Sequence, residues 1–118
     1  MTLDPAALAD LLEMVGDDSD FVDDIVDTYL RDAPEQLAGM QASLAAGDIE
    51  TLGRHAHTLK GNSLTVGATT LAAIARDLEE RARAGDAVDA GPKVEDAAAE
   101  FGRVASALEA ARRRGWRP

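Results

Sequence analysis

Apolar side chains recur at steps of three and four along this chain, and the runs are separated by short turn-prone stretches, the pattern of amphipathic helices packed on a common core. Leu3-Asp4-Pro5 opens the first run. Asp4 is placed to cap free amides, Pro5 suits the first helical position, and Leu3 can staple onto Leu8, so a short helix is predicted over 5–15, ending near Gly16. Val22, Val26, Leu30, Leu37, Met40 and Leu44 then predict a helix over 19–46, bent near Pro34 or divided there. Gly47-Asp48 ends that run, and Leu52, Ala56, Leu59, Ser63 and Val66 mark a third major segment over 49–66, stopped at Gly67. Leu71, Ile74, Ala75, Leu78 and Ala82 give a helix over 68–84, closed at Gly85. After the loop Asp86 to Gly91, Pro92 opens a last helix over 93–113, its inward face being Val94, Ala98, Phe101, Val104, Ala105, Leu108 and Ala111. The expected fold is all-α: an antiparallel four-helix bundle with a short additional N-terminal helix, forming one domain over 1–118.

Composition agrees with that fold and narrows the chemistry. Hydrophobic residues make up 46% of the chain but aromatic ones only 3%, so the core must be aliphatic. The absence of cysteine removes disulfides, thiolate nucleophiles and cysteine-ligated metals. No signal peptide and no apolar run of membrane-spanning length is found, so a cytoplasmic protein without membrane insertion is expected. The acidic run Asp17, Asp18, Ser19, Asp20 lacks the glycine an EF-hand loop requires, and reads as helix-capping charge. A net charge of −10 argues against nucleic acid as a partner. That charge is uneven: residues 1–50 carry 13 acidic side chains against Arg31 alone, whereas residues 51–118 carry 9 acidic and 11 basic. An anion site belongs in the second half.

On a helical wheel of the third segment, at about 100° per residue, the core stripe centres roughly 140° from His57. Gly53, Arg54, Lys60, Gly61 and Leu64 fall within about 60° of it. His57 is therefore expected to face solvent beside two cations. Lys60 and Arg54 would disfavour its protonation and attract a phosphoryl anion, and the two glycines would leave bare backbone for a partner to approach. Helix geometry by itself fits a solvated surface histidine as well as it fits a phosphate carrier. His55 points about 160° away, at the edge of the apolar stripe, and is expected to be structural rather than a second phosphosite. The C-terminal Arg112, Arg113, Arg114 and Arg117 suit a helix C-terminus, and the order of Trp116 is not legible.

The segment Ala56-His57-Thr58-Leu59-Lys60-Gly61-Asn62-Ser63, followed by Val66-Gly67-Ala68, closely resembles the signature of histidine-containing phosphotransfer (HPt) domains. The resemblance extends upstream through Leu44, Gly47, Asp48 and Leu52, and downstream through Leu71 and Leu78-Glu79. It implies that His57 accepts the phosphoryl group, that Lys60 and Gly61 are the motif lysine and glycine, and that Asn62 and Ser63 are candidates for assisting the imidazole. Ser63 also lies near the core stripe, where satisfying a backbone carbonyl would be enough to explain it. Arg54, Gly53 and Leu64 complete the expected phosphate-neutralising or docking set.

What the resemblance implies is a phosphorelay carrier, itself no enzyme, exchanging phosphoryl groups with the receiver domain of a response regulator and that of a hybrid histidine kinase. It implies no metal and no cofactor of its own, magnesium being expected on the receiver. No P-loop and no kinase-type Gly-rich motif is present, which excludes a complete kinase. A non-phosphorylated helical adaptor, and the HPt module of a larger hybrid or chemotaxis-type kinase, are the alternatives. A free-standing monomer is the expectation.

Overall fold

The computed structural model describes residues 1–117, so residue 118 of the expected domain lies outside it. Five helices follow one another: α1 (Pro5–Met14), α2 (Ser19–Ala45), α3 (Ile49–Thr65), α4 (Thr69–Arg83) and α5 (Ala90–Arg113). The last four form a closed ring, α2 against α3, α3 against α4, α4 against α5 and α5 back against α2, while α1 lies on α2. The result is a rod of 44 × 20 × 20 Å whose core is mainly aliphatic, with Tyr29 and Trp116 buried in it.

Sequence chemistry explains the ends. Asp4, Asp18 and Asp48 each accept a backbone N–H of the following first turn, from Ala6, Phe21 and Thr51 respectively. Asp18 accordingly gives the acidic run its expected capping role. Pro34 neither ends nor divides α2, which runs through it as a single helix. The buried positions on both sides, Val22, Val26, Tyr29, Ala33, Leu37 and Met40, keep one unbroken stripe, and their burial outweighs the roughly 3 kcal/mol that an interior proline costs. α5 begins at Ala90 rather than 93, because Pro92 sits in the first turn, where no intrahelical partner is needed for its missing N–H.

The inward faces of α2 and α5 are rotated slightly from expectation. Tyr29 and Glu100 are buried, while Leu30, Leu44 and Phe101 pack against the core from its edge. Burial pushes the Tyr29 phenol up to about 12, with its hydrogen bond to Ser63 opposing and the charge of Glu100 adding.

Two corners hold the lower end of the rod. Gly67 (φ +77°) lies so close to α1 that a Cβ there would stand 2.6 Å from Cβ of Ala7, and its carbonyl accepts the Asp4 N–H at 2.8 Å. At the other corner Trp116 is 2% exposed, and its indole N–H donates to Asp23 at 2.8 Å. Arg112 stacks on that ring, 5.4 Å from its centroid, and pairs with Asp23 and Asp27. Trp116 is thus held in place, and Arg112 has the structural part that its place at a helix end suggested.

Candidate functional site

α3 is anchored by its Asp48 cap and buries Leu52, Ala56, Leu59 and Ser63, which turns the opposite face outward. His57 stands on that face with its side chain 66% exposed. Its ring is nonetheless fixed: Nδ1 lies 2.6 Å from Oε2 of Glu79, a side chain of α4 that is only 7% exposed. Since an ionised carboxylate only accepts, Nδ1 carries a proton, and in the neutral ring Nε2 is the nitrogen with the free lone pair.

Glu79 is the hub of this arrangement. Its Oε1 accepts from Lys60 Nζ at 2.5 Å, and its Oε2 also meets Arg83 Nη2 at 3.3 Å. The Lys60 hydrogen bond holds the Glu79 carboxyl below the usual carboxylate range, burial works against it, and the His57 contact adds to the lowering. A buried carboxylate with three donors around it stays charged, and so keeps the imidazole oriented.

Around this pair the expected residues divide. Lys60 lies beside His57 but is not a free cation; it is a quarter exposed and engaged with Glu79. Arg54 is exposed and pairs along its own helix with Glu50 at 2.5 Å, so it is not directed at the imidazole. Gly53 is not bare backbone left open for a visitor: a Cβ there would stand 2.9 Å from Cβ of Ala82, and the glycine lets α3 and α4 approach closely. Gly61 is different, exposed and with nothing within 4 Å of where its Cβ would be. Leu64 is 55% exposed. Asn62 faces away toward a groove shared with Phe21, Ile25, Tyr29 and Val66. Ser63 is fully buried and bonds the Tyr29 hydroxyl at 2.9 Å, which takes it out of the site and gives it a side-chain partner in place of a backbone carbonyl. His55 is partly buried, with Nδ1 2.8 Å from Gln36 Oε1 and its ring filling the space above Gly39.

Glu79 and Arg83 join the site from α4, and no spacing along α3 points to them. The available signal was a glutamate adjoining the apolar stripe of α4, next to Leu78 and four residues from Ala75, where a charged residue needs a partner.

Residues 24–114 match the Hpt domain family. The chain belongs to that family. It is similar to histidine-containing phosphotransfer protein B (HptB) from Pseudomonas aeruginosa PAO1, whose crystal structure superposes with a TM-score of 0.87 at 35% identity over 96% of each chain. A comparison with curated proteins gave no match. This HPt protein is therefore a histidine phosphotransfer protein of phosphorelay signalling, a carrier rather than a kinase. HPt domains exchange phosphoryl groups with receiver domains of response regulators. Among the described residues, no helix is long and apolar enough to cross a membrane.

Proposed function

We propose that His57 is the phosphoacceptor of this HPt protein, taking a phosphoryl group from the aspartyl phosphate of one receiver domain and passing it to the aspartate of another. The observation that carries this is the His57–Glu79 contact, an exposed imidazole whose Nδ1–H is held by a buried carboxylate while Nε2 is left free. In the forward step Nε2 attacks phosphorus, the N–P bond forms as the acyl P–O bond breaks, and the receiver's carboxylate leaves. Nδ1 keeps its proton throughout. The ring becomes positive as it takes the phosphoryl group, and Glu79 stabilises that charge. Passing the group on reverses each change.

Little else is asked of the chain, because in-line positioning and charge neutralisation are the main requirements of phosphoryl transfer. The receiver brings the magnesium, and with it the neutralisation of the transferring oxygens; this chain needs no cofactor. Exposed Gly61 and Leu64, one turn and two turns from His57, give the receiver a smooth approach and an apolar contact. The cytoplasm, where receivers are phosphorylated, is the proposed site of action. An adaptor working without phosphorylation would have no use for a buried glutamate that orients an exposed histidine.

Incubation with a phosphorylated receiver should give acid-labile, alkali-stable label on the wild-type protein and none on His57→Gln. Label that survives in His57→Gln would refute the assignment.

A further inference from the structure

Three cations of this chain approach His57, and they are held unequally. Arg54 is committed to Glu50 on its own helix, at 2.5 Å. Lys60 is committed to Oε1 of Glu79 at 2.5 Å and is only a quarter exposed. Arg83 is the loose one. It reaches Glu79 through Nη2 alone, at 3.3 Å, and on the oxygen that His57 Nδ1 already occupies at 2.6 Å. Its side chain is 73% exposed, and it lines the same open groove as His57, Arg54 and Gly53. Because both contacts end on one oxygen, the guanidinium stands beside the imidazole, with most of its fork unused.

From this inequality we infer that Arg83 is the residue that neutralises a phosphoryl group on His57, while Lys60 is a positioning residue acting through Glu79. The inference rests on His57 being the phosphoacceptor. Phosphorylation changes the local charges in a way that favours the exchange. The ring turns positive and tightens its bond to Glu79, so that carboxylate is served by His57 and Lys60 without Arg83. The new phosphoryl oxygens, on the exposed side of the ring, carry about two negative charges at neutral pH. A guanidinium fork matches two such oxygens at once, which a lysine does not. Lys60 would have to give up its short contact with a nearly buried carboxylate to serve the phosphoryl group, leaving that charge poorly compensated.

Phosphoramidate tests this without a partner protein. Its P–N bond breaks as Nε2 bonds to phosphorus, ammonia leaves, and Nδ1 keeps its proton. One arginine facing an exposed anion at about 4 Å is worth about fivefold, or about 1 kcal/mol at 1.4 kcal/mol per tenfold. Arg83→Gln should therefore label about fivefold more slowly than wild type with weakened salt dependence, and Arg83→Lys should recover part of the rate. In the wild-type protein, labelling should shift the Arg83 guanidinium NMR signals and leave the Lys60 ammonium signal in place. If His57 labels normally in Arg83→Gln, or if Lys60 and not Arg83 responds to labelling, the role of Arg83 is refuted while that of His57 stands. If wild-type label does not reside on His57, both fall.

Discussion

Replacing Glu79 by glutamine keeps the shape of the side chain and removes its charge, and the geometry dictates how the amide must settle. Lys60 can only donate, so the amide oxygen turns toward Nζ, which places the amide NH2 against His57 Nδ1. Nδ1 must then accept, and the ring proton moves to Nε2, the nitrogen proposed to attack phosphorus. Recovering the reactive tautomer means breaking the new hydrogen bond without regaining the old one to a charged carboxylate. Such bonds are worth about 1.5–3 kcal/mol, which corresponds to about a ten- to hundredfold slower labelling of His57 by phosphoramidate. Glu79→Ala removes more atoms but leaves Nδ1 to water and the tautomer free, so it should lose less rate than Glu79→Gln. Initial labelling rates of the two variants, with imidazole 15N shifts to read the tautomer, decide the matter. If Glu79→Gln labels faster than Glu79→Ala, or keeps its proton on Nδ1, the carboxylate does not set the tautomer and the reasoning is wrong.

Other consequences are equally open to measurement. Gly39→Ala drives a Cβ to within 2.5 Å of the His55 ring, so it should destabilise by about 1–2 kcal/mol, overpacking exceeding the helix-propensity gain. In a His55→Ala background the same change should become stabilising by about 0.5–1 kcal/mol in urea titrations. Tyr29 titrates near 12 in the fold and near 10 when unfolded, so the unfolded chain loses its proton first. Stability from this group is complete below pH 10 and is lost as pH rises toward 12, by up to about 3 kcal/mol, and Tyr29→Phe should flatten that slope of urea midpoint against pH. Gly61→Leu meets open space and should fold at least as stably as wild type. It should label normally with phosphoramidate yet fail to exchange with a receiver; normal exchange would show that the open backbone is not a docking requirement.

What was legible in the sequence was whatever depends on neighbours along one helix. The Asp4 cap, the stops at Gly47 and Gly67, the buried stripe of α3 and the exposure of His57 all follow from local spacing. What was not legible depends on the facing helix. Gly53 and Gly61 lie on the same face of α3 and look alike in sequence, yet one abuts Ala82 and the other faces nothing. Lys60 and Arg54 were both expected to act on His57 as cations; one is bound to Glu79 from across the groove and the other to Glu50 on its own helix. Pro34 left open whether its segment forms one helix or two because the penalty is local, whereas the burial that keeps α2 continuous is spread along it.

The close approach at Gly53 and Ala82 lies one turn from His57 along α3 and one turn from Glu79 along α4. It therefore acts as a spacer for the pair, setting how far the exposed imidazole stands from the carboxylate that orients it. A methyl added at Gly53 would press on Ala82 and spread the two helices where their separation sets the Nδ1 to Oε2 distance. Loss of transfer, with the histidine, the glutamate and most of the stability intact, would then originate in the bundle's own width.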